Sequence, residues 1–252
     1  MITAGIDVGS RTTKVVILCN KEVISREIDS TGWKPARSAK EVFDRALVTA
    51  GISQSDVAKI VATGYGRVML PFAGATLTEI TCHARGAHFV NPDIRTIIDI
   101  GGQDSKVIKV DQFGFVEDFA MNDRCAAGTG KFLEFLAHTL EVDVSDFGKL
   151  ALESLSPAVI SSMCTVFAES EILSLLAEDT PIPDIIAGLH LAIAKRIEGL
   201  IDLVGYSDVV SITGGVAKNP GIKKQLEELL STPVLVPENP EFIGALGAAL
   251  SA

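Results

Sequence analysis

The chain writes one phrase twice. DVGSRTTK at residues 7–14 and DIGGQDSK at residues 99–106 align Asp7 with Asp99, Gly9 with Gly101, Thr13 with Ser105 and Lys14 with Lys106. Each phrase ends one apolar, β-branched run and begins another, which places it in the first turn of a strand pair. The surroundings repeat as well. ITAGIDV (2–8), TKVVILC (13–19) and EVISREI (22–28) predict three consecutive strands, and after residue 93 TIIDIGG, SKVIKV and FVEDFAM predict three more. A motif that recurs with its context marks a duplicated unit.

The remaining pattern is that of an α/β chain. A helix is expected over 35–50, opened by Pro35 and closed by Gly51, followed by a buried strand over 57–64 and a helix over 78–90. In the second half helical periodicity covers 128–141, 166–178 and 184–204. Then come an apolar strand at 208–213, a helix over 219–230, a short strand PVLV and a last helix over 240–251. With 252 residues and 47% hydrophobic content the chain can bury a large core, and its length points to two compact lobes.

Charge and apolar runs exclude several roles. The net charge of -10 argues against a nucleic-acid partner, because a duplex binder needs a cationic face. No window holds the apolar run of about 18 residues that a spanning helix needs. MITAGIDVGS has no basic stretch of the kind that begins a signal peptide, so a cytoplasmic protein is expected. The cysteines, Cys19, Cys82, Cys125 and Cys164, form no CxxC pair, which disfavours a disulfide framework or a zinc site within one chain.

Each copy of the phrase sets an Asp at a strand end, a Gly where a side chain would obstruct, and hydroxyl and Lys residues at the next strand. Such a turn can aim several backbone N–H groups at a phosphate oxygen, and the Asp suits a hydrated Mg2+ ion. A third Gly-rich turn, SITGGVAKN (211–219), follows an apolar strand and precedes a helix, so Gly214 and Gly215 would admit a flat ligand such as adenine. GTGKF (128–132) is not a Walker loop. That pattern would need Gly at Cys125 and Ser or Thr at Phe132.

These residues resemble the actin-like ATPase superfamily of sugar kinases, heat-shock ATPases and actin. Residues 7–14 are similar to its first phosphate loop, 99–106 to its second, 212–218 to its adenosine loop, and IGALGAA (243–249) to its final connecting helix. The resemblance implies two RNase H-like lobes with mixed five-stranded sheets and a nucleotide cleft between them. It places the first lobe at 1–93, with the helix 241–252 packing back on it, and the second at 94–240. Asp7 and Asp99 would organise Mg2+ and the attacking water, with Gln103 and Asp104 as further catalytic candidates. Gly9, Ser10, Arg11, Thr12, Thr13 and Lys14, together with Gly101, Gly102, Gln103, Ser105 and Lys106, would surround the phosphates of ATP or ADP. Gly214, Gly215, Val216 and Lys218 would take the nucleoside.

ATP binding leaves two stretches unused, NDRCAAGTGKF (122–132) and SSMCTVFAESEI (161–172). Each sets a Cys near an expected helix start, where the helix dipole favours a thiolate, although most unpaired intracellular cysteines are small packing residues. Both stretches resemble the cysteine segments of the reductive activators of 2-hydroxyacyl-CoA dehydratases, in the family that also holds the ATPase subunits of benzoyl-CoA reductase. The resemblance implies a homodimer sharing one [4Fe-4S] cluster held by Cys125 and Cys164 of each chain. It further implies ferredoxin or flavodoxin as electron donor, and a dehydratase, a reductase or a double-cubane cluster protein as acceptor. Cys19 and Cys82 are read as packing residues. His83, His88, His138 and His190 lie on helical patterns without metal-like spacing and are read as core or solvated. A small-molecule kinase of the same superfamily is the alternative, but the chain has little room for a second-substrate insertion. A filament or regulatory protein of this fold would leave both cysteine stretches unexplained.

Overall fold

The computed structural model describes residues 1–122, 125–161, 164–207 and 209–252, the side chain of Val166 excepted. Residues 123, 124, 162 and 163 of the two cysteine stretches, and the first residue of the strand expected at 208–213, lie outside the described residues.

The first half runs β1 (Ile2–Val8), β2 (Thr12–Cys19), β3 (Glu22–Ser30), α1 (Pro35–Ala50), β4 (Lys59–Thr63), β5 (Ala75–Thr76) and α2 (Glu79–Val90). The second runs β6 (Thr96–Ile100), β7 (Ser105–Val110), β8 (Val116–Asn122), α3 (Gly130–Thr139), α4 (Phe147–Leu152), α5 (Thr165–Ala177), α6 (Ile182–Val204), β9 (Val210–Thr213), α7 (Pro220–Leu230), β10 (Val234–Leu235) and α8 (Ile243–Leu250). The strands form two five-stranded sheets ordered β3-β2-β1-β4-β5 and β8-β7-β6-β9-β10. Counted within each half, these are the same order. In the first sheet β1 pairs antiparallel with β2 and parallel with β4; in the second, β9 and β10 pair in parallel. The duplicated phrase therefore reports a duplicated topology.

Local chemistry accounts for the element ends. Pro35 stands in the first turn of α1, where its missing N–H leaves no bond unmade, and Gly51 closes the helix in the left-handed region at φ 67°. Thr78 caps α2 by accepting from Thr81 N at 3.3 Å. β1 and β6 are almost wholly buried and read as continuous apolar runs, as central strands covered on both faces do.

Two compact units result, one comprising Met1–Ile97, Ile108–Asp118 and Pro237–Ala252, the other Ile98–Val107 and Phe119–Val236. The end of the β7–β8 hairpin thus groups with the first unit, where Gly114 lies against the His88 ring of α2. The first unit has its core around Ile6, Ile17, Phe43 and Leu47. In it α8 lies directly on β1 and α2: Thr3 Oγ1 donates to Ala249 O at 2.9 Å, and a Cβ on Gly247 would stand 1.8 Å from Cys82 O. The second unit packs α3, α4, α6 and α7 around Ile98, Val107, Phe147 and Ile193.

Candidate functional site

The two phrases fold into the same turn. Gly9 N donates to Thr12 O at 3.1 Å and Gly101 N to Asp104 O at 2.9 Å, which leaves Ser10–Arg11 and Gly102–Gln103 as the tips. In both turns the aligned Lys returns to the aligned Asp. Lys14 Nζ lies 3.3 Å from Asp7 Oδ2 and Lys106 Nζ 3.2 Å from Asp99 Oδ2. Strand register explains this, because Lys14 is the antiparallel partner of Asp7. Each Lys therefore sets a counter-charge against a carboxylate at a buried strand end.

One of the differences between the copies adds a charge beside the lysine. Where the first has Thr12, the second has Asp104, whose Oδ2 lies 2.9 Å from Lys106 Nζ. Lys106 is fully buried and shared by two carboxylates, whereas Lys14 retains some exposure. Thr13 and Ser105 are completely buried. Thr13 Oγ1 is 3.0 Å from Thr31 Oγ1, which itself donates to Gly9 O at 2.7 Å, so Thr13 braces the first turn. Ser10, Thr12, Gly101, Gly102 and Asp104 are half-buried, and Arg11 and Gln103 are exposed.

A second pair of matching sites joins each Asp. β4 ends at Thr63, followed by Gly64, and β9 at Thr213, followed by Gly214; Thr63 is the register partner of Asp7, and Thr213 Oγ1 donates to Asp99 Oδ1 at 3.0 Å. Gly64 and Gly214 both take positive φ, 82° and 85°, a region that penalises a Cβ. A Cβ on Gly64 would stand 2.3 Å from Asp7 Oδ1, and one on Gly214 would stand 2.9 Å from Asp99 Oδ1. The glycines thus leave one face of each carboxylate open. Gly214 and Gly215 were singled out in the sequence, but Thr63 and Gly64 were not. Their signal is the Thr-Gly pair after an apolar strand, present in ATGYG and ITGGV.

After Gly214 the loop makes a 3-10 turn, Gly215–Lys218, with Val216 buried and Gly215 and Lys218 exposed. Asn219 then caps α7, its Oδ1 accepting from Gly221 N at 2.9 Å and Ile222 N at 3.1 Å. His190 of α6 meets Asn219 Nδ2 through Nε2 at 3.2 Å, and burial pushes its pKa down to about 3. His190 is thus a neutral packing histidine. His83 is also buried, yet its Nε2 and Asp7 Oδ2 flank one point beside Gly244 in α8, at 2.9 and 3.4 Å from where a Cβ would be. Sequence reasoning gave His83 no such neighbour.

The cysteines separate cleanly. Cys82 is buried and its thiol is pushed up to about 11, chiefly by burial, which suits packing. Cys164 is exposed and occupies the N-cap of α5. Cys125 is half-buried in the loop before α3, which carries it instead of the helix end. Among the described residues no three His, Cys, Asp or Glu side chains group to hold a metal ion, and no helix is long and apolar enough to cross a membrane.

Residues 4–252 match the model of the BadF/BadG/BcrA/BcrD ATPase family. The chain belongs to that family. Within it, the chain is 45% identical to the 2-hydroxyisocaproyl-CoA dehydratase activator of Clostridioides difficile, over 100% of this chain and 95% of the relative. It is 46% identical to the (R)-2-hydroxyglutaryl-CoA dehydratase activating ATPase of Acidaminococcus fermentans, over 99% and 96%. The solved activator of the 2-hydroxyisocaproyl-CoA dehydratase from Clostridium difficile with bound ADPNP superposes with a TM-score of 0.95, covering 100% of this chain and 94% of that one. The two mixed five-stranded sheets of this BadF/BadG/BcrA/BcrD family member are those of actin-like ATPases.

Proposed function

We propose that the chain is an ATP-dependent reductive activator, which hydrolyses ATP to drive single electrons at low potential into a partner enzyme. The observation that carries the reading is the twinned constellation in a member of an ATPase family: Asp7–Lys14–Thr63–Gly64 and Asp99–Lys106–Thr213–Gly214. Phosphoryl transfer asks a protein for positioning and charge compensation more than for covalent chemistry, and two buried carboxylates, each beside the lysine of its own turn, meet that demand.

In this reading the backbone and side chains at Gly9, Ser10, Arg11 and Thr12, and at Gly101, Gly102 and Gln103, face the phosphates, while Thr13, Ser105, Lys14 and Lys106 support them from within. Asp7 and Asp99 hold the water shell of Mg2+, an ion that takes carboxylates and phosphate oxygens together. Gln103 and Asp104 orient the attacking water. Gly214, Gly215, Val216 and Lys218 receive the nucleoside.

The thiols fit a cluster shared between two chains. A [4Fe-4S] centre needs four thiolates, and each chain offers the half-buried Cys125 and the exposed Cys164 at the N-cap of α5. When bound, the cluster supplies storage for one electron; the chain's own part is to hold its ligands and change their surroundings with nucleotide state. The homodimer follows from that ligand count. Ferredoxin or flavodoxin is the proposed donor. A 2-hydroxyacyl-CoA dehydratase is the proposed acceptor, as the names of the relatives indicate, with an aromatic acyl-CoA reductase or a double-cubane cluster protein as other members of the same partner class.

Mg2+-dependent hydrolysis by anaerobically purified protein tests the reading. Asp99→Asn is expected to lower turnover on the order of 100-fold, the scale of losing one preorganised electrostatic group, with nucleotide binding retained. A colourless protein that phosphorylates a small metabolite would instead identify a kinase.

A further inference from the structure

Asp7 and Asp99 occupy matching strand ends, yet they are held differently. Asp99 is engaged at both oxygens: Lys106 Nζ lies 3.2 Å from Oδ2, and Thr213 Oγ1 donates to Oδ1 at 3.0 Å. Asp7 keeps the lysine, with Lys14 Nζ 3.3 Å from Oδ2. It does not keep the hydroxyl. Thr63 holds the place of Thr213 and is completely buried, but among the described residues its Oγ1 has no oxygen or nitrogen partner, and it faces the Cys82 thiol of α2. A carboxylate that must present a fixed face needs a second point of support, because its terminal torsion is broad.

α2 and α8 supply that support together. A Cβ on Gly86 would stand 2.2 Å from Ile243 O and one on Gly247 1.8 Å from Cys82 O, so the backbones of the two helices touch. The contact brings the buried His83 up to Gly244. A Cβ on Gly244 would have His83 Nε2 at 2.9 Å, His83 Cδ2 at 3.3 Å and Asp7 Oδ2 at 3.4 Å as its nearest neighbours. Imidazole and carboxylate therefore converge on one spot, and the missing side chain at 244 lets them face each other. On the other oxygen, a Cβ on Gly64 would stand 2.3 Å from Asp7 Oδ1. Two glycines thus clear the two oxygens, one for His83 and one for the open face.

We infer that His83 is a positioning residue for Asp7. Acting across the space beside Gly244, its Nε2 holds Oδ2 on the lysine side and leaves Oδ1 turned toward the open face. It does for the first carboxylate what Thr213 does for the second. The inference rests on the nucleotide and Mg2+ reading above and adds a residue to that site. A carboxylate that serves a metal ion owes part of its affinity to outer partners that fix its orientation. In this role His83 touches neither the nucleotide nor the ion.

The test measures ADP binding to the anaerobically purified full chain by calorimetry, first in EDTA and then across a Mg2+ titration. His83→Phe fills a similar volume without a donor, and His83→Gln keeps a donor at a similar reach. His83→Phe is expected to raise the Mg2+ concentration for half-maximal enhancement of ADP binding by about tenfold, the lower end for loss of an outer partner, with affinity in EDTA unchanged. His83→Gln should restore most of the loss. Gly244→Ala drives a methyl between the two groups and should reproduce His83→Phe with both of them present. In an Asp7→Asn background His83→Phe should add nothing, since its effect passes through that carboxylate. An unchanged Mg2+ requirement in His83→Phe, or equal losses of affinity with and without Mg2+, overturns the inference and leaves the nucleotide reading standing. Wild-type ADP binding that Mg2+ does not affect overturns the inference together with the metal role of Asp7. Failure to bind any adenine nucleotide overturns the nucleotide reading and the inference with it. Should His83→Phe not fold, Gly244→Ala and His83→Gln still decide.

Discussion

Lys106 is the residue whose loss should separate the two copies of the phrase most clearly. It is fully buried between Asp99 and Asp104, so Lys106→Met would strand two carboxylates. Removing one partner of a buried ion pair costs about 3–5 kcal/mol, and chemical denaturation should find a loss of that size. Lys14→Met faces one partially hydrated partner and should cost clearly less; equal losses would contradict the distinction between the copies. His190 makes a separate prediction. Its folded pKa of about 3 lies below the ordinary value of 6.5, so the unfolded chain binds the proton more readily. Its contribution is complete above the unfolded value and is lost as pH falls from about 6.5 toward 3, by roughly 1.4 kcal/mol per pH unit well inside that window. Between pH 7 and 5 the stability of His190→Gln should decline less steeply than that of the wild type, and parallel curves would sink the point.

Among elements, the turn after β9 offers the sharpest contrast. Gly214 has positive φ, and a Cβ there would meet Ile100 O at 2.3 Å, whereas Gly215 has open space around its Cα. Gly214→Ala should therefore destabilise by at least about 1–2 kcal/mol, the cost of the left-handed region alone, and weaken ATP binding. Gly215→Ala should leave stability unchanged by urea titration. Much of this architecture was legible in the sequence, for physical reasons. Long apolar strands and periodic helices such as Pro35–Ala50 carry their own signal, and a repeated Asp-Gly-Lys phrase marks a repeated turn. What escaped lacks local signal. β5 is two residues long and α4 six. Thr63–Gly64 looks like any strand end until register puts it beside Asp7. Asn122 and Arg196 meet only through tertiary packing, and His83 and Asp7 both come to lie beside Gly244 through the packing of α8.

For the whole molecule, duplication explains the economy of the design. One α/β unit, used twice, supplies two counter-charged carboxylates. The second copy alone adds Asp104 to its lysine and bonds its turn to the first N–H groups of α3. The most direct test is native mass spectrometry of anaerobically purified protein, with iron determined on the same sample. The account predicts a two-chain species carrying one four-iron cluster, lost in both Cys125→Ala and Cys164→Ala. Iron-free single chains, or an iron content that either substitution leaves intact, would contradict it.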